Sequence, residues 1–419
     1  MIAAGRITSV DLVEACLDRI ARREATVKAW SYIDPAAARR EAGASDAAGR
    51  AGPLRGVPVA VKDVIDVAGM PTGMGSPIYD GYRPFADAAC VAALRAAGAV
   101  ILGKTVTAEF AGVFPGATTN PFAAERTPGG SSSGSAAAVA DGMVPIAIGT
   151  QTGGSILRPA AFCGIVGFKP SFGSINRAGL KFAAESLDTI GLLAREVEDI
   201  ELAWNVLVGC AAGRPSPLDA PPRLLLFRTH HWSRASDDTV AAVEAAASAL
   251  RGSGAVVDEM PLPDGFDELS DARVVINGYE RARALAWEFQ HHADRLSPAL
   301  ARVVTEGQSF SYERYRSAIR LADRWRMWID GATAGHDAIL TAAVNGEAPV
   351  GLASTGDASF QEIWTILHRP AITLPLFAGK AGLPVGVQFV GHRHEDAALL
   401  RLARWVMRDR APIVPQQRG

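Results

Sequence analysis

Short apolar runs alternate with helical segments along this chain, and that alternation constrains its fold more than any other feature. The stretch GVPVAVKDVIDV has the Val-rich pattern of a buried strand with Lys62 near its end, and AVIL (99–102) and RLLLF (223–227) are predicted to be further strands. Residues 88–97 are predicted to form a short helix that ends at Gly98. Strands that alternate with helices predict an α/β protein whose sheet is covered by helices.

The chain has 419 residues, a length that fits two or three domains or one large α/β unit. Apolar residues make up 48% and charged residues 21%, so a sizeable core can be buried and disorder is not expected. Thr8 begins a T-x-x-D helix start signal, and a long helical region is predicted over roughly 268–330. The Pro-rich stretch GRPSPLDAPPR (213–223) is the best candidate for a surface linker between two halves of the chain.

Charge, hydropathy and cysteine spacing restrict the partners and the compartment. The net charge of −2 gives the chain no overall attraction to nucleic acid or to an anionic membrane. No run of about 18 apolar residues predicts a membrane span, and the N-terminus has the pattern of a helix rather than of a signal peptide. Cys16, Cys90, Cys163 and Cys210 show no CxxC spacing and are interpreted as buried free thiols. A cytoplasmic protein that needs no metal and no cofactor is expected.

The stretch GAVILGKT (98–105) matches the phosphate-binding pattern G-x-x-x-x-G-K-[ST] letter for letter. A phosphate loop follows a strand and precedes a helix, whereas here a predicted helix comes first. The middle residues AVIL favour a sheet, where their N–H groups are committed to neighbouring strands. We therefore interpret the match as scaffold, with Lys104 and Thr105 carrying the chain off the end of a strand.

Two Gly-Gly-Ser loops, which end at Ser131 and Ser155, concentrate the residues suited to chemistry. Each precedes a probable helix start, where unpaired backbone N–H groups can hold an anion or an oxyanion. GSSSG (130–134) also fits the nucleophile-elbow pattern with Ser132 at its centre, but the preceding residues are a poor strand. A Ser–His–Asp hydrolase stays an alternative. His392 and His394 have no third metal ligand at convincing spacing.

The motifs GVPVAVKDVIDVAGMPT, TPGGSSSGSAAAVA and GTQTGGSILRPA, in this order, resemble the amidase signature family. GAVILGKTVTAEFA, GIVGFKPSFG, SLDTIGLLAR and GLPVGVQFVG support the likeness, which covers nearly the whole chain. The resemblance implies one α/β domain over residues 1–419, with a central mixed, twisted sheet flanked by helices. That expectation replaces the two- or three-domain alternative.

The resemblance also implies a Ser–Ser–Lys triad, in which Ser155 is the nucleophile and Ser131 relays its proton to Lys62. A lysine is a poor base when it is protonated, but burial at the end of an apolar strand makes its neutral form accessible. The alternative for Lys62 is an exposed side chain extending off a strand. The family further implies a cis peptide between Gly130 and Ser131 and a supporting role for Thr150. The implied oxyanion donors are the backbone N–H groups of Thr152, Gly153, Gly154 and Ser155.

The chain departs from the family pattern beside the nucleophile. Gln151 stands where family members often have Asp, and Arg158 lies three residues after Ser155 instead of two. A guanidinium on the nucleophile's face of a helix could bind a substrate carboxylate, as the malonamidase branch of the family suggests. The alternative is that Arg158 pairs with a protein carboxylate. Other residues expected by position to contact substrate or line the pocket are Gly130, Ser132, Thr150, Met74, Gly75, Trp364 and His368.

Several functions stay open on the sequence. The main hypothesis is an amidohydrolase that cleaves a small carboxylic amide, malonamate-like if Arg158 binds an acid group, through an acyl-enzyme. Alternatives are an amidase or esterase for neutral aryl or aliphatic amides, the amidase subunit of a glutamine-dependent tRNA amidotransferase, and a non-catalytic binding protein. Expected partners are a small amide, no nucleic acid and no membrane, with a homodimer as a family expectation.

Overall fold

The structure is a computed structural model that describes residues 2, 5–49, 52–210, 218 and 220–408. One mixed sheet of eleven strands runs through this part of the chain and is flanked by helices, which confirms the single α/β domain. The strands are β1 (Trp30–Ile33), β2 (Pro58–Lys62), β3 (Val100–Thr105), β4 (Ile146–Gln151), β5 (Val166–Lys169), β6 (Thr189–Ala194), β7 (Arg223–Phe227), β8 (Val256–Met260), β9 (Ala338–Ala342), β10 (Ala371–Ala378) and β11 (Pro384–Val390).

The helices pack on the faces of this sheet and leave most strands buried along their whole length. They are α1 (Ser9–Val27), α2 (Pro35–Ala47), α3 (Ala89–Ala96), α4 (Ser133–Ala140), α5 (Leu157–Phe162), α6 (Val197–Leu207), α7 (Asp237–Gly252), α8 (Glu268–Ala284), α9 (Ala286–His292), α10 (Pro298–Ser309), α11 (Tyr312–Ala332), α12 (Ser359–Ile366) and α13 (Asp396–Met407).

The order of strands across the sheet is β1-β3-β2-β4-β6-β5-β10-β11-β9-β7-β8. β2 runs parallel to β3 and β4, and β7 runs parallel to β8 and β9, while the other neighbours are antiparallel. β2 therefore lies inside the sheet with a strand on each side. Its last residue, Lys62, is fully buried, because both neighbours and the covering helices exclude water from the end of this strand.

Local sequence signals predict the ends of several elements well. Thr8 caps α1 through a capping box with Asp11, and Gly98 adopts a φ of 89° directly after the end of α3. β7 spans the predicted residues 223–227. One expectation is wrong: Lys104 and Thr105 do not lead the chain off a strand but lie within β3, paired with Val61 and Lys62 of β2. The partner strands on both sides and the buried contacts of Lys104 extend the strand beyond AVIL.

The long helical region over 268–330 is confirmed, but it is broken into α8, α9, α10 and most of α11. The candidate linker 213–223 falls largely outside the described residues. Three cysteines are buried as expected, whereas Cys210 is exposed. In the part of the chain that the structure describes, no helix combines the length and the apolar character needed to cross a membrane.

Candidate active site

The Lys62 ammonium or amine group lies among hydroxyls at the end of β2. Its Nζ is 2.7 Å from Ser131 Oγ and 2.8 Å from Thr150 Oγ1, with the Thr150 carbonyl oxygen at 3.4 Å. No carboxylate of the described residues lies within salt-bridge distance of this nitrogen. Lys62, Ser131 and Thr150 are thus in direct contact, and the supporting role of Thr150 stays a prediction.

Burial lowers the pKa of Lys62 well below its ordinary value, because the charged amine loses its hydration. The charge of Asp188 acts in the opposite direction, while the positive charges of Arg281 and Arg158 lower the pKa further. The neutral amine, which can accept a proton, is therefore accessible at a pH where an exposed lysine stays protonated. The alternative of an exposed lysine extending off a strand is wrong.

The two Gly-Gly-Ser loops meet beside this lysine. The N–H of Ser132 donates to the carbonyl oxygen of Ser155 at 3.2 Å, and the N–H of Ala108 donates to the carbonyl oxygen of Ser131 at 3.1 Å. The peptide bond between Gly130 and Ser131 is cis, as the resemblance implies. Ser155 keeps 7% of its surface exposed at this junction, and its Oγ forms no hydrogen bond with a described residue. A hydroxyl group that has no partner among the described residues is available to react with a substrate.

Backbone donors without an acceptor lead up to Ser155 along the chain. The N–H groups of Gly153, Gly154 and Ser155 donate to no acceptor within the described residues. Gly154 is tightly enclosed, since a Cβ there would come 2.5 Å from Gln361 Oε1. Unpaired N–H groups held in a rigid loop are suited to stabilise negative charge that develops on a substrate carbonyl oxygen.

The departure at Gln151 has a structural explanation. Its Oε1 accepts the N–H groups of Ile156 and Leu157 at 2.9 and 3.1 Å, and its Nε2 donates to Thr365 Oγ1 at 3.0 Å. The side chain therefore satisfies two donors at the start of α5 and ties them to α12. A carboxylate could accept the same N–H groups but could not donate to Thr365. Gln151 fixes the loop that carries the nucleophile.

Asp188 fixes the same loop from the other side, and sequence reasoning gave it no role. Thr152 Oγ1 donates to its Oδ1, and its Oδ2 accepts the N–H groups of Ala183 and Ala184 at 2.6 and 3.1 Å. Burial raises the pKa of Asp188, and these hydrogen bonds oppose that rise. The available signal was its place in SLDTIGLLAR, one of the stretches that support the family resemblance.

Ser132 is turned into the scaffold. Its Oγ donates to the carbonyl oxygen of Thr150 at 3.2 Å and accepts the N–H of Thr150 at 3.3 Å, and the residue is fully buried. No strand precedes it within the described residues 118–132, and no described histidine contacts it. The nucleophile-elbow alternative is therefore wrong. The Ser132 side chain holds the backbone of Thr150, and a contact of Ser132 with substrate stays a prediction.

Arg158 contacts the residue before Ser131. Its Nη2 donates to the Gly130 carbonyl oxygen at 2.7 Å and to Thr355 Oγ1 at 3.1 Å, while its buried Nε has no partner. Burial lowers the pKa of Arg158 to about 10, against the charges of Asp357 and Glu362. No described carboxylate lies within ion-pair distance, so the protein-carboxylate alternative is wrong. Contact with substrate stays a prediction.

The remaining expected pocket residues divide into two groups. Met74 and Gly75 have φ values of 56° and 67° in a turn whose carbonyls and N–H groups contact the segments after β2 and β3. Trp364 is fully buried and packs edge-on against Phe227 in the core, so it does not line a pocket. His368 stacks on a phenylalanine ring, and burial lowers its pKa to about 3. Its neutral ring is part of the packing.

Comparisons with known proteins show which proteins this chain is similar to. A family model described as Amidase matches residues 11–400. A curated relative from Chloroflexus aurantiacus, named as the A-type subunit of glutamyl-tRNA(Gln) amidotransferase, is 34% identical over 96% of this chain and 93% of its own length. A relative of the same name from Roseiflexus castenholzii is 44% identical, but the alignment covers 63% of this chain and 58% of that relative. The peptide amidase of Stenotrophomonas maltophilia superposes with a TM-score of 0.85 at 30% identity, covering 100% of this chain and 97% of its own.

The relatives correct the expected partners. Both curated relatives carry the name of one subunit of an enzyme that is itself named for a tRNA, so the expectation that nucleic acid plays no part is wrong. The net charge of −2 led to that expectation. A whole-chain charge reports on non-specific attraction to nucleic acid and carries no information on whether a chain works as one subunit of an enzyme that acts on RNA.

Proposed function

Since this chain belongs to the amidase family, and so is an enzyme that acts on amide C–N bonds, we propose that it cleaves its substrate through an acyl-enzyme on Ser155. The observation that carries the proposal is the 2.7 Å contact between Lys62 Nζ and Ser131 Oγ beneath the nucleophile loop. Burial, which lowers the pKa of Lys62, makes its amine a proton acceptor.

The proposed reaction has two halves that use the same proton path. Ser155 Oγ attacks the amide carbonyl carbon and passes its proton to Ser131 Oγ, whose own proton moves to Lys62 Nζ. The C–N bond breaks as that proton returns to the leaving nitrogen. Water then attacks the acyl carbon, gives up a proton along the same path, and releases the carboxylic acid and Ser155 Oγ. The N–H groups of 152–155 hold the oxyanion in both halves.

Glutamine is the first candidate substrate, and the name of the curated relatives supports it. A relative that is 34% identical over 96% of this chain is named as an amidotransferase subunit. In that role the chain would hydrolyse the glutamine side-chain amide and supply ammonia to a tRNA-bound substrate held by other subunits. Glutamine hydrolysis by the purified chain alone is then expected to be weak and to rise when the other subunits are added.

A short amide that carries a carboxylate, such as malonamate, is the second candidate, and Arg158 supports it. Its guanidinium is buried, has no carboxylate partner among the described residues, and keeps its Nε without an acceptor. Arg158→Leu is expected to raise KM for malonamate far more than for an uncharged aryl amide. An equal rise in KM for both substrates would mean that Arg158 does not bind the carboxylate and only holds Gly130, which its Nη2 contacts.

The reaction is tested by labelling with a serine-reactive fluorophosphonate, followed by peptide mass spectrometry. Label is expected on Ser155 and is expected to disappear in Lys62→Ala. Label on Ser132 that persists in this variant would contradict the proposal. Ammonia release from glutamine, malonamate and a neutral amide, with and without added amidotransferase subunits, distinguishes the two substrates, and Ser155→Ala is the control for contaminating activity.

A further inference from the structure

Arg281 is a buried cation near the candidate active site, and it has no role in the proposed reaction. It lies in the last turn of α8, where 4% of its surface is exposed. Its Nη1 donates to the Phe110 carbonyl oxygen at 3.2 Å. Its Nε and Nη2 donate to no acceptor of the described residues, and no carboxylate among them lies within ion-pair distance. Donors therefore remain available on a largely buried guanidinium.

Arg281 is connected to Ser131, a member of the proposed proton path, through one short segment of backbone. The segment 108–112 connects the two, since Ala108 N–H donates to the Ser131 carbonyl oxygen and Phe110 accepts from Arg281. The packing is close, because a Cβ on Gly112 would come 3.3 Å from Arg281 Nη1. The positive charge of Arg281 also lowers the pKa of Lys62, so its field reaches the amine.

The carboxylate whose charge acts on Arg281 is already committed to other donors. Asp188 interacts electrostatically with Arg281, but its carboxylate oxygens accept hydrogen bonds from Thr152, Ala183 and Ala184. A buried cation without a hydrogen-bonded counter-ion is costly, and the cost falls when an anion arrives with matching geometry. The planar fork of a guanidinium fits a carboxylate.

We propose that Arg281 binds a carboxylate group of the amide substrate and so selects charged amides over neutral ones. The proposal rests on the proposed amidase function and adds a specificity-determining residue to it. Arg158 is the other cation near Lys62, but its Nη2 holds the Gly130 carbonyl oxygen next to Ser131. Among the described residues, the guanidinium of Arg281 donates only to the Phe110 carbonyl oxygen, so more of its donors remain for a substrate.

The test compares amides that differ in one charged group: malonamate with propionamide, and succinamate with butyramide, together with glutamine. At a pH above the rising limb of the activity profile, where the Lys62 amine is neutral in both proteins, Arg281→Met is expected to reduce kcat/KM for the charged amides about 100-fold, mainly through KM, and to change the neutral amides less than about threefold. Arg283→Met on the same helix is the matched control, since that guanidinium lies over the Tyr279 ring and is expected to leave both classes unchanged.

A second measurement uses inhibition. Succinate is expected to inhibit hydrolysis of butyramide competitively in the native protein, and this inhibition is expected to be lost in Arg281→Met and partly kept in Arg281→Lys. Equal loss on charged and neutral amides, or unchanged succinate inhibition, would overturn the proposal. If Arg281→Met does not fold, full succinate inhibition of Arg281→Lys would overturn it and weakened inhibition would support it. The proposed amidase function is tested separately: butyramide hydrolysis that stays intact in Ser155→Ala would overturn that function, whatever the outcome for Arg281.

Discussion

Lys62 and Lys104 are buried lysines on neighbouring parallel strands, yet their surroundings assign them different tasks. Lys62 pairs with Thr105 in the register of β2 and β3, and Lys104 pairs with Val61, so the two side chains leave the sheet on opposite faces. Both are fully buried, and burial lowers the pKa of both. Burial alone therefore does not distinguish a proton acceptor from a structural cation.

The partners make the difference. Lys104 Nζ lies 2.9 Å from Asp63 Oδ1 and 2.7 Å from Thr72 Oγ1, and the carboxylate favours its charged form. Among the described residues, Lys62 Nζ contacts hydroxyl and carbonyl oxygens and no carboxylate. An amine among neutral acceptors can lose its proton without leaving a carboxylate unpaired. A buried lysine is therefore available as a base when no carboxylate contacts its amine.

The largest expected effect is loss of turnover in Lys62→Met. Removing a base on the proton path is expected to reduce kcat by about 10³-fold or more, because Ser155 then has no route for its proton. Lys104→Met is the matched control and is expected to keep kcat per folded molecule. Ammonia release from purified, folded protein measures both. A Lys62→Met variant with near-native kcat, or a selective loss in Lys104→Met, would reverse the two assignments.

The next effect is loss of stability in Lys104→Met. Removing one partner of a buried ion pair leaves the Asp63 carboxylate unpaired and is expected to cost about 3–5 kcal/mol in the free energy of unfolding. Denaturant titration measures it. Lys104→Met combined with Asp63→Asn is expected to recover part of the loss, because the uncompensated charge is gone. Unchanged stability of the single variant would show that the ion pair contributes nothing to the fold.

These two lysines also show how far sequence reasoning extends. Local patterns predict β7, the cap at Thr8 and the end of α3 at Gly98, because each depends on residues close together in the chain. The phosphate-binding pattern at 98–105 points to Lys104 as a functional residue. Only the predicted order of helix and strand indicates that this lysine belongs to the scaffold. Its ion pair with Asp63 was not predicted, since no local rule relates residues 41 positions apart.

The site shows the same limit. Motif order identified Lys62, Ser131 and Ser155, and the structure brings them to one junction. The orientation of Ser132 and the role of Asp188 depend on which backbone groups lie opposite them, and those groups come from other strands and loops. Trp364 illustrates the reverse case, because an aromatic residue near the family pocket position is core packing when the facing strand supplies Phe227.

A smaller effect concerns the stability of the Lys62 variant, and its sign is opposite to that of Lys104→Met. Replacing a desolvated amine by an apolar side chain of similar length is expected to raise the free energy of unfolding by about 1–3 kcal/mol at neutral pH. Since the folded pKa of Lys62 lies below the unfolded value of about 10.4, the unfolded state binds more protons between the two. The native protein therefore gains stability as pH rises through that window.

The gain from Lys62→Met is accordingly expected to shrink as pH rises and to level off above about 10.4, where Lys62 carries a neutral amine in both the folded and the unfolded protein. Urea unfolding at several pH values measures the difference between the two proteins. A difference that is constant with pH would mean that the folded pKa of Lys62 is not lowered. Destabilisation at neutral pH would place Lys62 in the same structural class as Lys104.

The smallest effect is expected from Thr150→Val, which removes one acceptor from Lys62 Nζ and keeps the shape of the side chain. A loss of less than about tenfold in kcat/KM is expected, because Ser131 still contacts the amine. A hydroxyl acceptor stabilises the ammonium more than the amine, so its removal lowers the pKa of Lys62 further. Activity requires the neutral amine, and the rising limb of the pH profile is therefore expected to move to lower pH.

Thr150→Ser keeps the hydroxyl and is the control that should leave the limb in place. A limb that stays fixed, or moves to higher pH, in Thr150→Val would mean that a group other than Lys62 accepts the proton.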